Sequence, residues 1–329
     1  MHPSTFKKFH AEGLIGDDSL QKIEAFEKNR LFSLFWELRT LLYLGVLPLT
    51  GGLGILVYKN IDTIGHQAVL AFIALVSAGC FFYCFRKRAP FSWELVKAPT
   101  AFFDYILLLG CLSLLIFLGY LQYAYDVFGD NYGLATFIPM VILFFTAYFF
   151  DHAGVLGLAI TNLAAWAGLA ITPSTILRSG NFNSPQLIYT GLTLGAVLLA
   201  MGRLTDQRRL KAHFELSYSN FGLHLLFIAA LAGLFTFDHF YFLWFAGLIA
   251  AAFFCYTQAM ARRSFYFSMA VILYAYIGLC DVVIRLLEST DWRDASALYL
   301  AFFYFIGSAI GIIVLLMRIN RKLKGHDHV

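Results

Sequence analysis

Ten long apolar stretches divide this chain of 329 residues, and its basic residues collect on alternate sides of them. Of the 24 Lys and Arg residues, twenty fall in five groups. Lys7, Lys8, Lys22, Lys28, Arg30 and Arg39 precede the first stretch. Arg86, Lys87, Arg88 and Lys97 follow the second, and Arg203, Arg208, Arg209 and Lys211 follow the sixth. Arg262 and Arg263 follow the eighth; Arg318, Arg321, Lys322 and Lys324 follow the tenth. The opposite connections hold Lys59, Arg178 and Arg293 amid Asp62, Asp126, Asp130, Asp238, Glu288, Asp291 and Asp294. Only Arg285 lies inside a stretch. Short cytoplasmic loops of membrane proteins retain an excess of Lys and Arg. The pattern therefore predicts a multi-pass protein with both termini in the cytoplasm.

The fold class that follows is all-α, a polytopic bundle of about ten transmembrane helices. A helix needs about 20 apolar residues to cross a bilayer. The spans read as 40–58, 67–85, 101–123, 132–150, 153–171, 186–201, 221–237, 240–260, 264–287 and 297–317. Charged residues make up only 13% of the chain and hydrophobic ones 60%, whereas soluble domains run to about a quarter charged. The net charge of +4 is spread around the spans. It forms no single basic face, so nucleic acid is not an expected partner.

Three regions follow from this pattern: a cytosolic amphipathic segment over 1–39, the ten-span domain over 40–317 and a basic cytosolic tail over 318–329. The first segment reads as a helix over 5–12 closed by Gly13, then a second helix opened by a capping box of Asp18 and Gln21. Residues 31–39 are apolar edged by charge, as in a helix lying at the membrane interface. No apolar leader core precedes the first span, so that span is expected to direct insertion. The five cysteines (Cys80, Cys84, Cys111, Cys255 and Cys280) all fall in spans and include no C-x-x-C pair. They read as small packing residues.

Ionisable groups at lipid depth cost about 2.5–3.5 kcal/mol at a helix centre on insertion scales, so each is a functional candidate. Asp281 and Arg285 share one helix face at i,i+4, acid before base. They form either a structural ion pair or a substrate or proton site. Asp104 lies one turn into the third span, where it reaches the headgroups, pairs with Lys97 or lines a path. His224 reads as a helix-packing histidine, and Thr161 and Asn162 as hydrogen-bonding between helices. Asp151-His152 and Asp238-His239 each follow a Phe and read as tight hairpin tips reaching the headgroups. Pro48, Gly51 and Gly52 in the first span and Pro139 in the fourth are candidate helix breaks or packing kinks. Gly191 with Gly195, and Gly307 with Gly311, have the spacing that lets helix backbones approach closely. No catalytic motif, metal set or cofactor motif appears.

Glu12-Gly13-Leu14-Ile15, Leu44-Gly45-Val46-Leu47, Gly52-Leu53-Gly54-Ile55 and Lys59-Asn60-Ile61-Asp62 together carry a family resemblance. Residues 6–80 resemble an uncharacterised family of predicted bacterial membrane proteins, catalogued as a domain of unknown function. Ile61 departs from the Trp usual in that family. The resemblance implies a bacterial inner-membrane protein and transfers no catalytic residue.

Two functions fit this reading. One is a scaffold, sensor or accessory subunit, with the bilayer as its main contact and the N-terminal helices as a docking surface for a protein. The other is a secondary transporter or lipid-moving carrier built from two inverted five-span halves, with Asp281, Arg285 and Asp104 lining the path. The sequence names no small-molecule substrate.

Overall fold

The computed structural model describes residues 12, 16, 17, 19, 35–59, 65–129, 131–171, 184–288 and 295–324. Among them the regular structure is all helical, with ten α-helices and two short 3₁₀ turns. The chain divides into two compact units, 1–58 and 59–329.

The first unit contributes α1 (Phe35–Lys59). The expected helix over 5–12 and the capping box of Asp18 and Gln21 lie outside the described residues. α1 runs without a break across position 39/40, since Glu37, Leu38 and Arg39 are good helix formers. It also continues through Pro48, which a helix tolerates when its other hydrogen bonds hold. The Thr50 hydroxyl donates back to the carbonyls of Val46 and Leu47 at 3.0 and 2.9 Å. A Cβ added at Gly51 or Gly52 would meet no described atom within 4 Å.

The second unit contains α2 (His66–Lys87), α3 (Ala101–Tyr125), α4 (Tyr132–Phe150), α5 (Ala153–Ile171) and α6 (Pro185–Arg208). It continues with α7 (Glu215–Thr236), α8 (Tyr241–Ala261), α9 (Phe265–Glu288) and α10 (Ala295–Lys324). Each expected span falls on one helix, and α4 and α5 match their expected bounds at both ends. Nine helical segments, one on each of α2 to α10, are long and apolar enough to cross a membrane by length and composition. α1 carries a shorter apolar run, Thr40–Gly52. α6 extends to Arg208 and α10 to Lys324, beyond the expected apolar limits, because Arg and Lys continue a helix readily.

The helices pair as hairpins: α2 with α3, α4 with α5, α6 with α7 and α8 with α9, with α10 laid against α9. Small residues set the tightest seam. A Cβ at Gly195 would stand 2.6 Å from the Leu226 backbone nitrogen, and one at Gly191 would stand 2.9 Å from the Ala229 Cβ. Both glycines therefore bring α6 onto α7 at backbone distance. Between α2 and α3 the Ser77 hydroxyl donates to the Gly110 carbonyl at 3.0 Å. Pro139 lies inside a continuous α4.

Two apolar cores result. One joins Cys84, Phe103, Leu107, Cys111, Leu143, Leu156 and Ile160 to Phe214 and Tyr218. The other joins Leu223, Phe227, Leu231 and Leu234 to Leu248, Ala252, Phe267 and Val271. α7 contributes to both, with its first turns in one and the remainder in the other. Large apolar side chains such as Leu75, Leu243, Phe253 and Phe303 are exposed outward, as lipid-facing residues of a bundle are.

Candidate functional site: two polar clusters at opposite ends of the bundle

The first cluster forms where α4 hands over to α5. Asp151 takes a left-handed conformation (φ 60°) and ends α4, its N–H donating to the Ala147 carbonyl. His152 begins α5. Its Nδ1 accepts the Val155 N–H at 3.1 Å, so the imidazole caps the helix N-terminus in place of the usual hydroxyl or carboxylate. An accepting Nδ1 puts the ring proton of a neutral imidazole on Nε2, and that atom lies 3.9 Å from Asp104 Oδ1. A Cβ at position 154 would stand 2.9 Å from His152 Cε1. Gly154 thus leaves room for the capping ring.

This hairpin tip is covered by protein and not laid open at the end of the bundle. The Asp151 side chain is 1% exposed and His152 only 6%. Two loops close over them. From the loop between α2 and α3, the Val96 N–H donates to Asp151 Oδ2 at 2.6 Å. From the loop between α6 and α7, His213 Nε2 donates to Oδ1 at 2.5 Å, and Lys211 Nζ lies 3.1 Å from the same oxygen. The Lys211 side chain is fully buried. Its ammonium also faces the Phe91 ring at 5.2 Å, and the contact with Asp151 is coulombic without hydrogen-bond alignment. The Lys211 N–H donates to the Trp93 carbonyl at 2.9 Å. Burying the ion pair is costly in itself; two further donors to Asp151 offset part of that cost.

Sequence reasoning singled out Asp104 and missed Asp151, Lys211 and His213 as a group. Lys211 stands in the run Arg208-Arg209-Leu210-Lys211, which reads as solvated loop charge. The only local hint was the count: three acids and bases from separate loops assigned to one membrane side.

The second cluster lies at the other end of α7. That helix has 22 residues, which at about 1.5 Å each separates the clusters by roughly 33 Å. Arg285 on α9 donates from Nε to Asp281 Oδ2 at 2.8 Å and from Nη1 to Asp238 Oδ1 at 2.6 Å. Its Nη2 donates to the Leu234 carbonyl at 3.2 Å, and the guanidinium lies over Tyr241 at 5.3 Å. The two Phe-Asp-His elements thus use their aspartates in the same way, each on a basic partner from a distant helix or loop. Beside the second tip, Phe237 stacks on Trp244 at 5.3 Å, with Gly233 beneath the indole.

His224 is held between helices. Its Nε2 lies 2.9 Å from the Tyr266 hydroxyl, which itself donates to Asn220 Oδ1 at 2.8 Å. Having spent its proton there, Tyr266 accepts from Nε2–H, and Nδ1 takes the Tyr274 hydroxyl proton at 2.8 Å. Thr161 and Asn162 bond the carbonyls of Gly157 and Leu158 on their own helix instead of crossing to another. Back-bonding at i−4 satisfies such groups without a neighbour. Among the described residues no three His, Cys, Asp or Glu side chains converge as a metal set.

Helices of this length and composition, with hairpin pairing and outward-facing apolar surfaces, define a polytopic α-helical membrane protein. Residues 7–156 match the model of a family described as predicted membrane protein (DUF2157). The resemblance read over residues 6–80 is borne out and continues into α5. The matched segment contains Asp104, Asp151 and His152, while Lys211, Arg285 and their loops lie beyond it. No curated protein and no solved structure matches the chain.

Proposed function

We propose that this is a non-catalytic scaffold or accessory subunit of the bacterial inner membrane, with both termini in the cytoplasm. The carrying observation is that Arg285, the one basic residue inside an expected span, has its charge consumed internally. Arg285 donates to Asp281, Asp238 and the Leu234 carbonyl. A transported ion or substrate would have to displace bonds that already neutralise the arginine.

Helix pairing also favours the scaffold over a carrier. Two inverted five-span halves would place α7–α8 and α9–α10 where α2–α3 and α4–α5 stand in the first half. In the second half the closest pairs are instead α6–α7 and α8–α9. α10 adds a docking face: a Cβ at Gly307 or Gly311 would meet no described atom within 4 Å. A small-residue pair open to lipid suits a partner helix. The N-terminal helices would supply a second, cytosolic contact.

Two measurements test the reading. Crosslinking through residues 5–35 or through α10 should capture a defined membrane partner. Proteoliposomes holding the wild type and Asp281→Asn should show equal, background flux of ions and small metabolites. A flux present in the wild type and lost in Asp281→Asn would overturn the scaffold in favour of the carrier.

A further inference from the structure

A groove opens between α6, α7, α8 and α9 at the end of the bundle that carries Lys211. We propose that it binds the phosphate of an anionic phospholipid.

The cavity holds about 50 Å³, several times what a single water requires. It is far too small for a whole lipid and suits a charged group of a few atoms. Its polar wall consists of Arg203, Arg262, Gln258 and Ser219, and its floor is apolar, with Leu199 and Phe267. Charge in the wall is unbalanced. Arg262 is ion-paired with Glu215, which also accepts the Ser219 hydroxyl at 2.6 Å. Arg203 has no carboxylate partner among the described residues. Its guanidinium lies 4.6 Å over the Phe254 ring. Stacking on a ring leaves the N–H edge of a guanidinium available, and that edge is the one that grips phosphate in two-pronged fashion.

Depth and surroundings select a lipid over a free anion. Arg203 stands five residues before the end of α6 at Arg208, about 7.5 Å along the axis, which is headgroup depth. Phe254 in the groove wall is exposed on its outer side, and with the neighbouring exposed Phe253 and Leu204 it continues as an apolar surface along which an acyl chain can lie. Basic pockets between membrane helices recognise anionic headgroups by this combination.

The test uses the full chain purified in a neutral detergent. Thermal unfolding is followed with added phosphatidylglycerol, phosphatidylcholine or inorganic phosphate, and retained lipid is counted by native mass spectrometry. Phosphatidylglycerol should raise the unfolding midpoint and stay bound, while the other two do neither. Arg203→Gln should weaken phosphatidylglycerol binding roughly fivefold to tenfold. Arg203→Lys, which keeps the charge, should retain an intermediate affinity and guards against a misfolded glutamine variant. Arg321→Gln, on the exposed last turns of α10, should bind as the wild type does. Equal response to phosphatidylcholine, a full response to inorganic phosphate alone, or an Arg321→Gln loss as large as that at Arg203 would each overturn the proposal.

Discussion

Asp151 and Lys211 are partners of unequal need. Asp151 retains His213 and the Val96 N–H if Lys211 is removed; Lys211 retains only the Phe91 ring if Asp151 is neutralised. Asp151→Asn keeps the left-handed turn, which Asn tolerates, yet leaves a buried ammonium uncompensated. It should cost about 3–5 kcal/mol, read as a large drop in unfolding midpoint in detergent. Lys211→Met should cost distinctly less, and equal losses would mean that the pair is not the controlling interaction. Arg209 offers the opposite case. It is exposed and caps α6 at φ 52°, where a side chain is strained. Arg209→Gly should stabilise by up to about 1 kcal/mol, a small upward shift on the same melting curve. Asp151 was legible in the sequence only as a hairpin tip, and neither Lys211 nor Arg209 stood out from its basic run. A basic residue in a loop reads as solvated, and burial there depends on which loops the bundle folds over it.

Seams between helices depend on a few residues without side chains. A Cβ at Gly195 collides with backbone of α7, which cannot step aside as a flexible side chain can. Gly195→Ala should therefore destabilise by about 1–3 kcal/mol, whereas Gly307→Ala should leave the unfolding midpoint unchanged. A loss of stability in Gly307→Ala at low protein concentration would place another chain segment against α10. The two pairs have the same spacing in sequence, Gly191 with Gly195 and Gly307 with Gly311. Spacing alone does not say whether a neighbour is present. Helix limits were readable because apolar length is a direct physical demand of the bilayer; α6 and α10 ran long where charged residues good at forming helix followed the apolar run. Pro48 and Pro139, read as helix breaks or packing kinks, do not end their helices: α1 and α4 pass through them, because a helix can lose one hydrogen bond and continue.

The alternating charge made the arrangement of the second unit legible before any coordinates. The loops carrying Arg88 to Lys97, Asp151 and Lys211 meet at one end, and Asp238 meets Arg285 at the other. Accessibility labelling checks this directly. In a background without the native cysteines, a cysteine at position 209 or 263 should react with an impermeant maleimide only after cells are opened. One at position 239 should react in intact cells. Reaction of 209 and 239 from the same side would refute the alternation. What charge counting could not supply is how the ends are fastened. α7 borders the Lys211 cluster at its first turn and gives the Leu234 carbonyl to Arg285 at its last. Tied at both ends, α7 cannot slide along its axis past the α4–α5 tip or past α9 without pulling a charged contact apart. The same ties make α7 an axle and not a piston: turning a neighbour about it stretches these contacts less than driving it lengthwise does.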